Sequence, residues 1–119
     1  ELVLLTDGPV ISQSAKIEAL GIAPMLARMV LTDGWGLAYR KPHPRAYLEI
    51  AADRNPAQCL AIGDNPAKDF SVPLALGWRS PIRVRRAGAL HTAVATPEGC
   101  MEVTSLADVD LKDVPWSMK

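Results

Sequence analysis

The chain has 119 residues, of which 49% are hydrophobic and 22% are charged. That length and composition predict a globular protein with one core rather than a disordered chain. Thirteen basic residues balance thirteen acidic ones. The charge balance therefore gives no electrostatic reason to expect nucleic acid or a membrane surface as a partner.

The sequence carries no signal for export or membrane insertion. No apolar run approaches the roughly 20 residues that a membrane-spanning helix needs, and no signal-peptide pattern is present. The two cysteines, Cys59 and Cys100, are far apart in the chain. We therefore expect reduced, structural thiols and a cytoplasmic protein.

Short apolar runs alternate with amphipathic stretches along the first 86 residues. Apolar runs are typical of strands covered on both faces of a parallel sheet. They predict strands at residues 2–5, 29–31, 59–62 and 82–85. Apolar residues at helical spacing predict helices at residues 12–20, 44–53 and 69–76. A serine, Ser12 or Ser14, could cap the first helix, and Pro73 favours a third helix that is short or begins near Val72.

This order of elements predicts an α/β fold with a parallel sheet and right-handed crossovers. The expected class is a Rossmann-like, three-layer α/β/α arrangement. Beyond residue 86 the pattern weakens. We therefore expect a core at residues 1–86 and a weakly structured C-terminal extension at residues 87–119, with a short element at 106–109 and a loosely packed end at 114–119.

Polar side chains lie at three places beside the expected strands. Thr6 follows the first strand, and Lys41 lies in a proline-bounded loop before the second helix. Asp64 and Asp69 follow the third strand. Taken singly, these residues suit a turn, a solvated lysine or a helix cap. Together, at the edge where open α/β sheets place ligands, a hydroxyl, a cation and paired acids indicate a phosphate and magnesium site.

The ordered set resembles the motifs of the haloacid dehalogenase superfamily, whose members are mostly magnesium-dependent phosphohydrolases. The second motif of that family is an apolar strand ending in Thr or Ser, as in Leu2-Val3-Leu4-Leu5-Thr6. The third is a lysine, as in Arg40-Lys41-Pro42-His43-Pro44, and the fourth is Gly63-Asp64 followed by Asp69. The resemblance covers residues 2–86, and its last part looks like a subgroup of small bacterial members.

The resemblance implies a role for each of these residues. Thr6 would bind a phosphoryl oxygen, and Lys41 would neutralise the charge of the phosphate and the nucleophile. Asp64 would contact Mg²⁺, directly or through water, and Asp69 would support the metal or orient Lys41. The substrate would be a small phosphorylated metabolite, hydrolysed through an aspartyl-phosphate.

The first motif of the family is missing from the chain. That motif places the nucleophile and the acid–base residue as Asp-x-Asp on the central strand. Asp108-Val109-Asp110 has this spacing, but it comes last and follows no long apolar strand. We therefore expect an incomplete core, in which the central first strand, the nucleophile and any cap lie upstream of these residues.

Two other functions stay open at this point. The chain could be a non-catalytic phosphate-binding or interaction module of the same fold within a larger protein. It could also be a receiver-like signalling domain, although the spacing from Asp64 to Asp69 fits that class poorly. The sequence does not name the substrate, and it leaves open a homo-oligomer or a fusion to a further domain.

Two further features have both a functional and a structural interpretation. Arg83, Arg85, Arg86 and His91 form a basic cluster that could hold an anionic substrate or partner. The favoured interpretation is a solvated edge strand protected by charge. Trp35, between two glycines, could face a substrate or an interface, while packing against the sheet edge is the structural alternative.

Overall fold

The computed structural model describes residues 1–112 and divides the chain into two compact units. The first unit is Glu1–Ile50, and the second begins at Ala51. The strands are β1 (Val3–Thr6), β2 (Arg28–Leu31), β3 (Ile62–Gly63), β4 (Ile82–Val84) and β5 (Met101–Val103). The helices are α1 (Val10–Leu20), α2 (Arg45–Ala51) and α3 (Ser71–Ala75). The loose end predicted at 114–119 lies outside the described residues.

All strand pairs in the described chain are parallel. β1 pairs with β2, and β3, β4 and β5 form a separate sheet in that order. The predicted α/β class with parallel strands is therefore confirmed. β1 and β3 belong to different sheets, and the gap that the sequence predicts between them stays a prediction. None of the described helices has the length and apolar character needed to cross a bilayer.

The first unit sets the carboxyl ends of β1 and β2 side by side. In the parallel register Val3 faces Arg28, and Thr6 faces Leu31. Val30 of β2 is buried, as is Tyr47 of α2. Because parallel strands bring their exit loops to the same edge, the residues after Thr6 and after Leu31 lie close together.

Helix α1 begins earlier than its sequence predicts. It starts at Val10 instead of Ser12, so neither predicted serine cap is at its N-terminus, and no side chain caps it. The backbone N–H of Gln13 donates to the carbonyl of Pro9 at 2.9 Å. This bond closes the first helical turn, which already contains Ser12. The predicted end is confirmed, because Gly21 adopts a left-handed φ of 65°, which glycine tolerates without strain.

In the second unit, β3 is shorter than predicted. The carbonyl of Cys59 accepts from Arg79, and the carbonyl of Ala61 accepts from Ile82. The step from Cys59 to Ala61 is two residues, whereas the opposite step from Arg79 to Ile82 is three residues. Pro81 lies in that longer segment and has no N–H to donate. The regular ladder therefore covers Ile62 and Gly63 alone.

Strand β5 was not predicted. It pairs with β4 along its length, from Met101 opposite Ile82 to Val103 opposite Val84. It has only three residues, which are too few to show the apolar periodicity from which a strand is predicted. The division of the chain at residue 86 stays a prediction. The short element expected near residue 106 is present as a single 3₁₀ turn, Leu106–Asp108.

Arg83 of β4 does not lie on a solvated edge, so that interpretation is wrong for this residue. β4 lies between β3 and β5, and Arg83 is only 1% exposed. Its guanidinium donates to the carbonyls of His91 and Val94 and to the hydroxyl of Thr96. These bonds hold the loop before β5 against the sheet.

Arg85, the residue directly after β4, also binds the same loop. Its Nε donates to the carbonyl of Thr92 at 2.8 Å, and its guanidinium pairs with Glu102 of β5 at 3.1 Å. Glu102 also accepts from the hydroxyl of Thr96. The Thr96 hydrogen bond, and then Arg85, lower the pKa of Glu102.

We expect Arg83→Met to lower the free energy of unfolding by about 2 kcal/mol, because the substitution removes a buried guanidinium that donates three hydrogen bonds to the loop. Arg86→Met is the matched control. Arg86 is exposed, so its replacement should change stability by less than about 0.5 kcal/mol. Urea unfolding measures both variants. Equal stabilities of the Arg83→Met and Arg86→Met variants would contradict the view that Arg83 holds the loop against the sheet.

Cys59 and Cys100 are free thiols. Burial raises the pKa of both thiols, which keeps them in the unreactive protonated form.

Candidate functional site

Thr6 is the last residue of β1, where the sequence places it. Its hydroxyl donates to Oε1 of Gln13 on α1 at 3.0 Å, and it lies 3.2 Å from the carbonyl of Asp7. A side-chain amide can present either its oxygen or its nitrogen to a hydroxyl. With Nε2 of Gln13 turned toward Thr6, the hydroxyl would keep its own proton for an anion. Gln13 is thus a hydrogen-bond partner of the Thr6 hydroxyl, together with the Asp7 carbonyl.

Lys41 lies in the loop between the 3₁₀ turn Leu37–Tyr39 and α2. Its backbone N–H donates to Oδ1 of Asp7 at 3.1 Å. The same oxygen accepts from the hydroxyl of Thr32, which follows β2, at 2.6 Å. Because Asp7 follows Thr6 directly, this bond brings the backbone of Lys41 to the carboxyl end of β1. The association of the Thr6 hydroxyl with the Lys41 ammonium stays a prediction.

A second carboxylate holds the residue before Lys41. Asp33 pairs with Arg40 through two bonds of 2.8 Å, one from Nε and one from a terminal nitrogen. It also accepts from the N–H of Gly8 at 3.3 Å. The bonded Arg40 guanidinium holds the pKa of Asp33 below its ordinary value. Such paired bonds fix orientation as well as distance.

The tripeptide Thr-Asp-Gly occurs at the carboxyl end of both strands of the first sheet: at residues 6–8, where Thr6 ends β1, and at residues 32–34, directly after β2. The aspartate of the first copy binds Lys41, and that of the second binds Arg40. Sequence reasoning missed both aspartates and Thr32. The repeated tripeptide was the available signal, because equal turns after paired parallel strands lie at the same edge.

Trp35 packs against a cation. The guanidinium of Arg45 lies 4.2 Å from the centre of the Trp35 ring and 4.7 Å from that of Tyr39. The N–H of Arg45 donates to Nδ1 of His43 at 3.1 Å, at the start of α2. One face of the Trp35 ring is therefore packed against the Arg45 guanidinium. A role toward a substrate or an interface stays a prediction.

In the second unit, Asp69 shapes the loop that follows β3. It is 7% exposed, and its Oδ2 accepts from the N–H of Asn65 at 2.9 Å and of Asp64 at 3.2 Å. Gly63 lies directly against it, because a Cβ at Gly63 would be 2.4 Å from that same oxygen. Part of the carboxylate predicted to bind metal therefore holds the loop backbone.

Asp64 is the accessible acid of this loop. Its side chain is exposed and lines a cavity of about 300 Å³ at the ends of β3 and β4. Arg86 lines the same cavity, and the remaining wall is largely apolar, with Ile62, Val84 and Leu106. The cavity thus combines one carboxylate, one guanidinium and an apolar surface.

The donors present fit one side of a magnesium site. Mg²⁺ prefers carboxylate oxygens and keeps several waters, and the exposed Asp64 carboxylate meets that requirement. Among residues 1–112 there is no group of three or more His, Cys, Asp or Glu side chains that could hold a metal ion. Within the described chain, Asp64 would therefore be the main contact, with Asp69 fixing its backbone. The joining of Thr6 and Lys41 with these acids into one site stays a prediction.

A protein-family model described as HAD-hydrolase-like matches residues 38–106. No curated protein matches the chain. This family match includes Lys41, Asp64 and Asp69 and extends through β5.

Three solved structures share the fold. The HAD-hydrolase YfnB from Bacillus subtilis, described as bound to magnesium, has 17% identity and a TM-score of 0.72, over 90% of this chain and 46% of that one. A HAD phosphatase from Thermococcus onnurineus has 20% identity and a TM-score of 0.69, over 90% and 47%. A haloacid dehalogenase-like family hydrolase from Xanthomonas campestris has 25% identity and a TM-score of 0.62, over 86% and 41%.

The present chain thus spans less than half the length of each of these structures. The match confirms the predicted class, a Rossmann-like α/β fold of the haloacid dehalogenase type.

Proposed function

The chain belongs to the HAD-hydrolase-like family, and from that membership we propose that it is part of a magnesium-dependent phosphohydrolase. The substrate is a small phosphorylated metabolite, and the reaction proceeds through an aspartyl-phosphate. The nucleophile comes from a part of the whole protein outside residues 1–119. A cytoplasmic location completes the proposal, and the two free cysteines are consistent with it.

One observation carries this proposal above the others. The N–H of Lys41 is bonded to Asp7, the residue after Thr6. A hydroxyl and an ammonium-bearing residue are thereby tied to the same strand end, although 34 residues separate Asp7 from Lys41 in sequence. Phosphoryl transfer needs mainly positioning and charge neutralisation. The Thr6 hydroxyl would position a phosphoryl oxygen, and the Lys41 ammonium would neutralise its charge.

The residues of the first unit act on the phosphoryl group. The hydroxyl of Thr6 donates to one phosphoryl oxygen once Gln13 presents its amide nitrogen. Lys41 supplies a fixed positive charge that offsets the charge developing on phosphoryl oxygens in the transition state. Its position depends on the loop backbone, which Asp7 and Asp33 hold through residues 41 and 40.

The residues of the second unit serve the metal. Bound Mg²⁺ would offset phosphate charge and orient the phosphoryl group. Asp64 presents a carboxylate oxygen to it, and Asp69 holds the Asp64 N–H so that this carboxylate stays directed out of the loop. Arg86 lines the cavity beside Asp64 and is available to an anionic group of the substrate.

Hydrolysis of p-nitrophenyl phosphate tests the proposal. The whole protein is expected to hydrolyse it with Mg²⁺ and to lose activity when EDTA removes the metal. Residues 1–119 alone are expected to show no turnover. Turnover by this chain, free of contaminating phosphatase, would contradict a nucleophile outside it. A whole protein that binds phosphate with no hydrolysis of any phosphate ester would favour the non-catalytic module.

Magnesium titration by calorimetry tests the role of Asp64. We expect Asp64→Asn to weaken Mg²⁺ binding at least about tenfold, because a neutral amide replaces a charged ligand. Asp53→Asn, at another exposed carboxylate of the same unit, should leave binding unchanged. Equal affinities for wild type and Asp64→Asn would remove Asp64 from the metal site.

A further inference from the structure

Asp7 holds a central place in the first unit, because one of its carboxylate oxygens joins residues from two other segments. Its Oδ1 accepts two hydrogen bonds, from the hydroxyl of Thr32 at 2.6 Å and from the backbone N–H of Lys41 at 3.1 Å. We propose that Asp7 is a positioning residue that fixes the backbone of Lys41, and through it the ammonium group, beside Thr6. The catalytic meaning of this role rests on the proposed function.

The anchor of this bond is rigid. Thr32 is fully buried and follows β2 directly, and the register of β1 with β2 sets Thr6 opposite Leu31. The hydroxyl of Thr32 therefore has a fixed position relative to Asp7. Its short bond holds the carboxylate in one orientation, so that Oδ1 can accept from Lys41 at the same time.

The loop of Lys41 needs such an anchor. It contains Pro42 and Pro44, which have no N–H, and the N–H of His43 donates within the loop, to the carbonyl of Arg40 at 3.0 Å. The backbone N–H of Lys41 therefore links the loop to the end of β1, through the carboxylate of Asp7. A lysine on a loop without that bond would sample several positions, and a displacement of about 1 Å costs roughly 100-fold in rate.

Asp33 acts in the same way on the preceding residue. It binds the Arg40 side chain with two bonds and also accepts from Gly8, which follows Asp7. The two Thr-Asp-Gly turns thus hold consecutive residues of one loop from one sheet edge. This arrangement favours a positioning role for Asp7, since its Oδ1 accepts bonds from both Thr32 and Lys41.

A double-mutant cycle in the whole protein separates positioning from mere support of the fold. Asp7→Ala is expected to lower kcat about 100-fold with KM changed less than about threefold. Asp7→Asn retains an acceptor oxygen and should recover most of this loss, to within about tenfold of wild type. In the Lys41→Met background, Asp7→Ala should lower kcat by less than about a further twofold, because the two residues act as a unit.

Each opposite result overturns the inference. Losses that multiply in the double variant would assign Asp7 a role independent of Lys41. An Asp7→Asn variant as inactive as Asp7→Ala would assign it a proton-transfer or charge role. If Asp7→Ala does not fold, Thr32→Val removes the other donor to Oδ1 and should lower kcat several-fold, again with little added effect in the Lys41→Met background.

Amide hydrogen exchange separates this inference from the proposed function. The Lys41 N–H is expected to exchange at least about tenfold faster in Asp7→Ala than in wild type. Glu18→Ala, at an exposed residue of α1, should leave that rate unchanged. Unchanged exchange in Asp7→Ala would overturn the inference whatever the activity. Faster exchange in a protein without phosphatase activity would overturn the proposed function alone, and the cycle would then be measured on the Kd for inorganic phosphate.

Discussion

Lys41→Met is expected to lower kcat of the whole protein on p-nitrophenyl phosphate by about 10³-fold. The substitution removes the ammonium and keeps a flexible stem of similar length. Loss of one fixed charge or donor that acts on the transition state costs about 10² to 10³-fold in comparable sites. The substitution keeps the backbone N–H of this residue, which donates to Asp7.

Steady-state kinetics with Mg²⁺ measure this loss, and urea unfolding confirms that the variant folds. Lys16→Met is the matched control, since Lys16 is an exposed lysine of α1 and its replacement should leave kcat within about twofold. A Lys41→Met variant with more than a tenth of wild-type kcat would contradict the role of the ammonium. Recovery of activity in Lys41→Arg would show that any cation suffices.

The sequence predicted the elements that local patterns determine. Strands β1, β2 and β4 appear within a residue or two of their expected positions, because β1 and β2 contain short apolar runs and β4 alternates apolar and basic residues. The position of Thr6 at the end of β1 follows from the same pattern. These features depend on neighbours in the chain, and they need no knowledge of distant contacts.

The features that were missed depend on distant partners. β5 forms because β4 offers an open edge, through which Arg85 N–H reaches the carbonyl of Val103 at 2.7 Å. Arg83 is buried because loop carbonyls surround it, whereas a basic residue in a strand is usually exposed. Asp7 acts on a residue 34 positions away. No local period encodes such pairs.

Asp69 shows how one motif residue can have two uses. The spacing from Asp64 predicted a second acid at the site, and the structure places its Oδ2 under the backbone of residues 64 and 65. The motif therefore fixes loop shape as well as charge. A glycine is required at position 63 for the same reason, since the Asp69 carboxylate occupies the space of a Cβ.

Gly63→Ala is accordingly expected to lower the free energy of unfolding by about 3 kcal/mol, near the upper end for an overpacked core. The added Cβ would lie 2.4 Å from Oδ2 of Asp69 and 2.9 Å from its Cβ. The carboxylate cannot simply turn away, because Asp69 is buried and holds two backbone N–H groups. Relief of the clash would release the Asp64–Asn65 backbone, so magnesium affinity should fall at least about tenfold as well.

Gly34→Ala is the matched control for this substitution. Neither glycine has a left-handed φ, and a Cβ at Gly34 would meet no atom within 4 Å. Its replacement should therefore change stability by less than about 0.5 kcal/mol. Urea unfolding gives the two stabilities, and calorimetry gives the two Mg²⁺ affinities. A Gly63→Ala variant as stable as Gly34→Ala would show that Asp69 can move without cost. Lost stability with unchanged magnesium binding would separate the loop shape from the metal site.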